Sequence, residues 1–401
     1  MTEILTGKEA LELLKKAAKL FLISLAVFAV LNYDVYTEAA DTEGAIAKVK
    51  EYNVRTKDGW DLSVNRYTLR DSSSQKKAAV ILCHGFNINN RFWDLDKRCS
   101  IARYLAGNGY DVWAPSLRGS GLSGKPILSD LKGMMRFEIQ AIPRMLLKAP
   151  ADITKLNWTI DDHIHKDIPA IIDLVKKESG FDKIYWIGHS MGSIVVFGYL
   201  EAEDRDNVAG FISLSSMMII PKPLNPQLEA AANERQLLTA SLLLNATVAS
   251  QLRNYTLGTV KIPIEELLMN KDNMETDVIY RFFRLAIDDT SPGIMTQFAN
   301  SLEAGKMVSS DGKLNYTDSM NLVKVPVLIA GGGRDGFVTE KGLRGTYEAI
   351  SSSDKSIVIF SKANGYSVDY GHCDLILGKN SETEVYPVIL KWLDERSIGK
   401  R

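Results

Sequence analysis

The chain has 401 residues, 45% of them apolar and 24% charged, with 48 basic against 49 acidic side chains and a formal charge of −1. That length and apolar content suffice for a large core, built as one α/β domain with an insertion or as two domains. The balanced charge leaves no electrostatic footprint for nucleic acid, and the sequence carries no Pro/Gly-rich linker, low-complexity tract or internal period of a repeat protein.

In chain order, Lys15, Lys16 and Lys19 precede an apolar run from Leu20 to Leu31. The run is too short to cross a hydrocarbon layer of about 30 Å as a helix. It fits the apolar region of a signal peptide, with Val27-Phe28-Ala29 as a small-residue cleavage site. Uncleaved, residues 10–31 form one helix suited to a membrane surface. Residues 1–45 are therefore read as a signal or membrane-anchor segment of an exported or membrane-associated protein. The alternative is a cytoplasmic chain whose first helix packs on the domain.

Strands and helices alternate from residue 46. Residues 48–55 and 60–68 read as strands joined at the turn Asp58-Gly59. The apolar run Ala78–Cys83 reads as a strand buried on both faces. A helix is expected over 94–108, then a strand over 110–114. The next helix, 161–179, opens on a capping box, Thr159 with Asp162. Strand 183–187, helix 191–203 and strand 209–215 follow. Residues 217–320 break the rhythm: they are helix-like and rich in Leu and Met, as in Leu237–Leu244 and Val278–Ile287. Alternation resumes with strand 326–330, helix 338–350, strand 356–360 and a last helix near 383–396. The expected architecture is α/β: a mostly parallel sheet covered on both faces, an antiparallel hairpin at its start, and a helical cap inserted late. The core is divided into residues 46–216 and 321–401, with 217–320 as the cap.

Gly188-His189-Ser190-Met191-Gly192 is a GxSxG sequence, weak alone but set between a strand and an apolar helix. That is the strand–turn–helix context of a nucleophile elbow. The turn is tight enough that a Cβ at Gly188 or Gly192 would clash. It lifts the Ser190 hydroxyl above the sheet at a helix N-terminus, where developing negative charge is stabilised. Of the five histidines, His84 ends a strand, His189 sits in the elbow, and His163 and His165 precede it on diverging sides of a helix. His372, past the last strand, is left as the base. Asp335, directly after strand 326–330, is the acid at the right strand end, whereas Asp369 and Asp374 stand too close to His372 in sequence. The backbone N–H groups of Phe86 and Met191 are the expected oxyanion donors.

Other constellations read more plainly. The stretch Asp161 to His165 is taken as a solvated helix start, because histidines two apart on a helix diverge by about 200°. No metal site is expected. Cys83, Cys99 and Cys373 fit neither a disulfide framework nor a zinc pattern and read as small buried or half-buried side chains, with a single bridge as the alternative. The Met and Leu stretches of the cap are either pocket lining or cap core.

Residues 50–215 and 322–377 resemble the α/β-hydrolase superfamily, and within it the lipase-like branch that includes acid lipases. The residues that carry the resemblance are Asp58-Gly59, His84-Gly85-Phe86, Asn90 to Asp94, Asp111-Val112-Trp113, Arg118 to Gly121, Asp167 to Ala170 and Gly188 to Gly192. It implies an ester-hydrolysing enzyme with an acyl pocket under a cap. Met191 stands where those enzymes commonly carry Gln, and the cap differs from theirs; both bear on the substrate.

The expectation is a serine esterase or lipase working through Ser190, His372 and Asp335 on a small-molecule acyl ester or lipid of medium or long chain. It needs no metal or organic cofactor and no nucleic acid partner, and it includes peripheral membrane association. Acyl transfer or C–C or amide cleavage by the same triad, and a catalytically silent binding module, are the alternatives.

Overall fold

The computed structural model describes residues 47–69, 76–124, 157–202, 205–223 and 263–397. The N-terminal apolar run and the stretch Leu237–Leu244 lie outside the described residues.

Strand β1 (Ala47–Arg55) pairs antiparallel with β2 (Asp61–Leu69), Arg55 opposite Asp61. The turn between them uses Gly59 at φ +88°, a left-handed conformation open to glycine. β3 (Ala79–Cys83) is buried at every position, as an apolar run covered on both faces must be. Helix α1 (Ile101–Gly107) is shorter than expected. Residues 90–93 form a separate 3-10 turn and 94–100 a loop, because the Asp94 carboxylate accepts from Ser100 Oγ and Arg103 Nε, each at 2.7 Å. Ser100 Oγ in turn caps α1 by accepting from the Arg103 N–H.

β4 (Asp111–Pro115) follows, and the Thr159–Asp162 capping box is present. Residues Ile160–Asp162 lead through a π-helical turn, His163–Asp167, into α2 (Ile168–Ser179). Then come β5 (Ile184–His189), α3 (Met191–Ala202) and β6 (Val208–Leu214). The chain returns to the sheet at β7 (Val327–Gly332), α5 (Glu340–Ala349) and β8 (Lys355–Phe360), and ends on α6 (Tyr386–Ser397). Between β6 and β7 the longest helix among the described residues is α4 (Pro292–Ala304).

The eight strands lie in the order β1-β2-β4-β3-β5-β6-β7-β8. β2 runs antiparallel to both neighbours and all pairings from β4 to β8 are parallel. Side-chain alternation splits the core into two layers. Val80, Leu82, Val112 and Ile187 face one, with α1 and α6; Ile81, Cys83, Trp113 and Trp186 face the other, with α2 and α3. The three cysteines are free and buried, as expected.

The stretch from Asp161 to His165 departs from the solvated reading. His163 and Asp167 are buried, and His163 Nδ1 donates to Asp167 Oδ2 at 2.7 Å. Asp167 also accepts from Arg118 Nε at 2.8 Å, while the Arg118 guanidinium forks onto Asp58 at 2.8 and 3.1 Å. Burial raises the Asp58 pKa, but its bonds from Arg118 and Thr56 outweigh that and hold it down at about 2. One arginine thus ties the first hairpin turn to the loop after β4 and the helix before the elbow. Arg118→Leu leaves a carboxylate stranded in the interior and is expected to cost about 3–5 kcal/mol. Urea unfolding checks this; a loss under about 1 kcal/mol would show that the network adds no stability.

Candidate active site

The site stands at the C-terminal ends of the parallel strands. Ser190 joins β5 to α3 at φ +53°, a strained conformation for a non-glycine residue. It is held there from both sides: its N–H donates to Leu214 O on β6 at 2.9 Å, and its carbonyl accepts from Ser193 and Ile194. A Cβ on Gly188 would overlap the backbone of Gly192, and one on Gly192 would overlap the carbonyl of Cys83. Both elbow glycines are therefore required by backbone packing. Trp186 Nε1 adds a bond to Gly192 O at 3.1 Å.

Asp335 lies just past β7 with its side chain fully buried. Its Oδ1 accepts from the N–H groups of Phe337 and Val338, both at 2.9 Å. Its Oδ2 lies 2.9 Å from His372 Nδ1. A carboxylate so held can only accept, so Nδ1 carries the proton and Nε2 is left with a free lone pair. The loop bearing His372 is fixed in turn. Asp374 Oδ1 accepts from Gly371 N at 2.9 Å, and Tyr370 O accepts from Arg334 N at 2.8 Å. His189 Nε2 donates to His372 O at 2.9 Å, while the rings of His189 and Phe337 flank the His372 ring at 4.7 and 5.1 Å.

Burial, and then the proximity of His372, push His189 well below its ordinary pKa. It stays neutral, a support rather than a base. His84 is neutral for the same reason, burial lowering it to about 4. Its Nδ1 donates to Gly85 O at 2.9 Å and its Nε2 accepts from Leu117 N at 3.0 Å. This fastens the loop 84–86 that runs beside the nucleophile, where a Cβ on Gly85 would stand 3.0 Å from Ser190 Cβ. The N–H groups of Phe86 and Met191 enter no loop or turn hydrogen bond among the described residues. Of the three sequence-predicted residues, the structure joins His372 to Asp335 by a hydrogen bond and sets Ser190 and His372 on one cavity, while the support from His189 and Asp374 was not foreseen. The one local signal for them was that His189 precedes Ser190 and Asp374 lies two residues past His372.

A cavity of about 270 Å³ opens on Ser190 and His372, and apolar side chains make up most of its wall. Residues between β6 and β7 contribute Leu268, Met295, Phe298, Leu302 and Met307, while Met269, Met274 and Phe282 are core. The two readings of this stretch thus divide between its residues. The wall is fixed from behind. Gln297, fully buried on α4, accepts from Ile160 N at 2.9 Å and donates to Asp161 Oδ1 at 2.8 Å and Val308 O at 3.0 Å. On the cavity side Phe298 packs edge-on against Phe86 at 5.4 Å. Among the described residues no cluster of His, Cys, Asp or Glu has the arrangement of a metal site.

Comparison with known proteins agrees with this fold. The family model of the alpha/beta hydrolase fold matches residues 78–376. A Schizosaccharomyces pombe protein named "Probable lipase" is 23% identical, the match covering 88% of this chain and 79% of that one. A "Tear acid lipase-like protein" of Mesocricetus auratus is also 23% identical, over 86% of this chain and 87% of its own. Among solved structures, a soluble variant of monoglyceride lipase from Saccharomyces cerevisiae, in complex with a substrate analog, has a TM-score of 0.54 at 16% identity. That match covers 89% of this chain and 97% of the other. The chain belongs to the α/β-hydrolase fold family, in its lipase-related branch of carboxylic ester hydrolases.

Proposed function

We propose that Ser190, His372 and Asp335 form a catalytic triad that hydrolyses carboxylic esters of medium or long acyl chain through an acyl-enzyme. The observation that carries the chain-length reading is the apolar cavity leading to Ser190 and His372. Ser190 Oγ attacks the ester carbonyl and His372 Nε2 takes its proton. Asp335, bonded to Nδ1, stabilises the imidazolium. The tetrahedral oxyanion rests on the N–H groups of Phe86 and Met191, each donor worth about 10²–10³ in rate. His372 then protonates the leaving alcohol, and water admitted to the same position releases the acid.

Each methylene buried in the cavity adds about 0.8 kcal/mol of binding. Where that gain is realised in the transition state, kcat/KM for p-nitrophenyl esters rises from the C2 to the C10 acid by roughly 10²-fold or more. A flat or falling profile would exclude a medium- or long-chain acyl pocket. The apolar run Leu20–Leu31, with its lysine flank, supports export or membrane association as part of the same proposal.

A further inference from the structure

The loops that carry Asp335 and His372 are both fastened to one short stretch of the insertion. It spans residues 267–273, where the helix Pro263–Leu268 gives way to a 3-10 turn, Lys271–Asn273. Met269, Asn270 and Asn273 within it are buried. On the Asp335 side, Leu267 O accepts from Gly336 N at 3.2 Å. On the His372 side, Leu268 O accepts from Cys373 N at 2.8 Å, and Asn270 N donates to Asp374 Oδ1 at 3.0 Å. The packing is as close as the bonding. A Cβ on Gly336 would stand 2.4 Å from Leu267 Cα, and one on Gly371 would stand 2.7 Å from Asn270 N. Gly336 follows Asp335 and Gly371 precedes His372, so the insertion meets backbone directly beside both.

Resting on the triad reading above, we infer that Asn270 is a positioning residue that fixes the Asp335 loop against the His372 loop. Its side-chain amide spans the two. Oδ1 accepts from Arg334 Nη1 at 3.1 Å, and Nδ2 donates to Asp369 O at 2.9 Å. A guanidinium only donates and a carbonyl only accepts, so the amide has one orientation and both its ends are used. The loops are also joined directly, Arg334 N donating to Tyr370 O at 2.8 Å. One bond alone leaves the two loops free to swing about it; the second link, through Asn270, removes that freedom. What it protects is the contact of His372 Nδ1 with Asp335 Oδ2 at 2.9 Å, which a shift of about 1 Å would break. Asn270 is not among the residues lining the cavity, so it acts through the His372–Asp335 pair and not on the substrate.

The test is a double-mutant cycle on the full chain, with kcat and KM for a p-nitrophenyl ester expressed per Ser190 titrated by a fluorophosphonate. Asn270→Ala is expected to lower kcat roughly 10- to 100-fold while KM stays within about twofold of wild type. In the Asp335→Asn background, where Nδ1 no longer meets a carboxylate, the same substitution is expected to cost less than about threefold. Residues that act as a unit do not add. Arg334→Met cuts the same link from its exposed end, where no loss of fold is expected. It should lower kcat by roughly three- to tenfold, with the same non-additivity. If Asn270→Ala gives no folded protein, the cycle run with Arg334→Met decides. Wild-type kcat in either variant, or an equal loss in both backgrounds, would overturn the proposal; the equal loss is what general loosening of packing gives. If the wild-type chain neither turns over the ester nor takes up the fluorophosphonate at Ser190, the ester-hydrolase reading itself has failed and this proposal falls with it.

Discussion

Ser190→Ala is expected to abolish covalent labelling by a fluorophosphonate and to lower ester turnover by about 10⁶-fold, down to the residue supplied by binding and the oxyanion donors alone. The elbow is built to present this one oxygen. Its backbone is fixed by Leu214 on one side and by Ser193 and Ile194 on the other, so alanine takes the same place without the nucleophile. The side chain makes no bond on which the fold depends, and the unfolding midpoint should stay within about 0.5 kcal/mol of wild type. Retained labelling at wild-type rate would remove Ser190 from the mechanism.

Asp335→Asn should be nearly as damaging, with turnover falling by about 10⁴ and KM little changed. The geometry gives the reason. The two backbone N–H groups of Phe337 and Val338 both donate to Oδ1, so an asparagine keeps its carbonyl there and turns its amide NH₂ toward His372. Nδ1 must then accept instead of donate. The proton moves to Nε2, and the nitrogen facing the nucleophile loses the lone pair that would take the serine proton. Since the carboxylate loses no partner on the backbone side, a loss of folded protein is not the expected cause. Circular dichroism melts, measured beside the kinetics, separate the two. A variant with more than a tenth of wild-type turnover would mean that His372 is oriented by something other than Asp335.

The parallel part of the sheet was legible because most of its strands are short apolar runs, and because buried parallel strands leave little room for another pattern. The candidate triad was legible for a related reason. Gly188 and Gly192 are forced by backbone contact, and once Ser190 is placed the strand order leaves few positions for a histidine and an acid. The helix over 94–108 failed where periodicity ran across a cap: Ser100 and Asp94 divide a stretch whose apolar spacing looks continuous. His163 was misjudged although its partner, Asp167, stands only four residues on; Arg118, the other donor to Asp167, lies far off in sequence, and nothing local announces that the two donors meet there.

The helix that follows the nucleophile is buried at every position from Met191 to Glu201. Such a helix tolerates little change on any side, so the sequence around Ser190 is constrained by folding as much as by chemistry. The cavity wall on α4 is different, for its anchors, Gln297 and its partners, lie behind the face that Met295, Phe298 and Leu302 present to the cavity. Those three positions are free to drift in size without loosening the anchor. New substrate preferences should therefore arise by exchanges on one face of one helix, while the bond-breaking machinery is inherited unchanged.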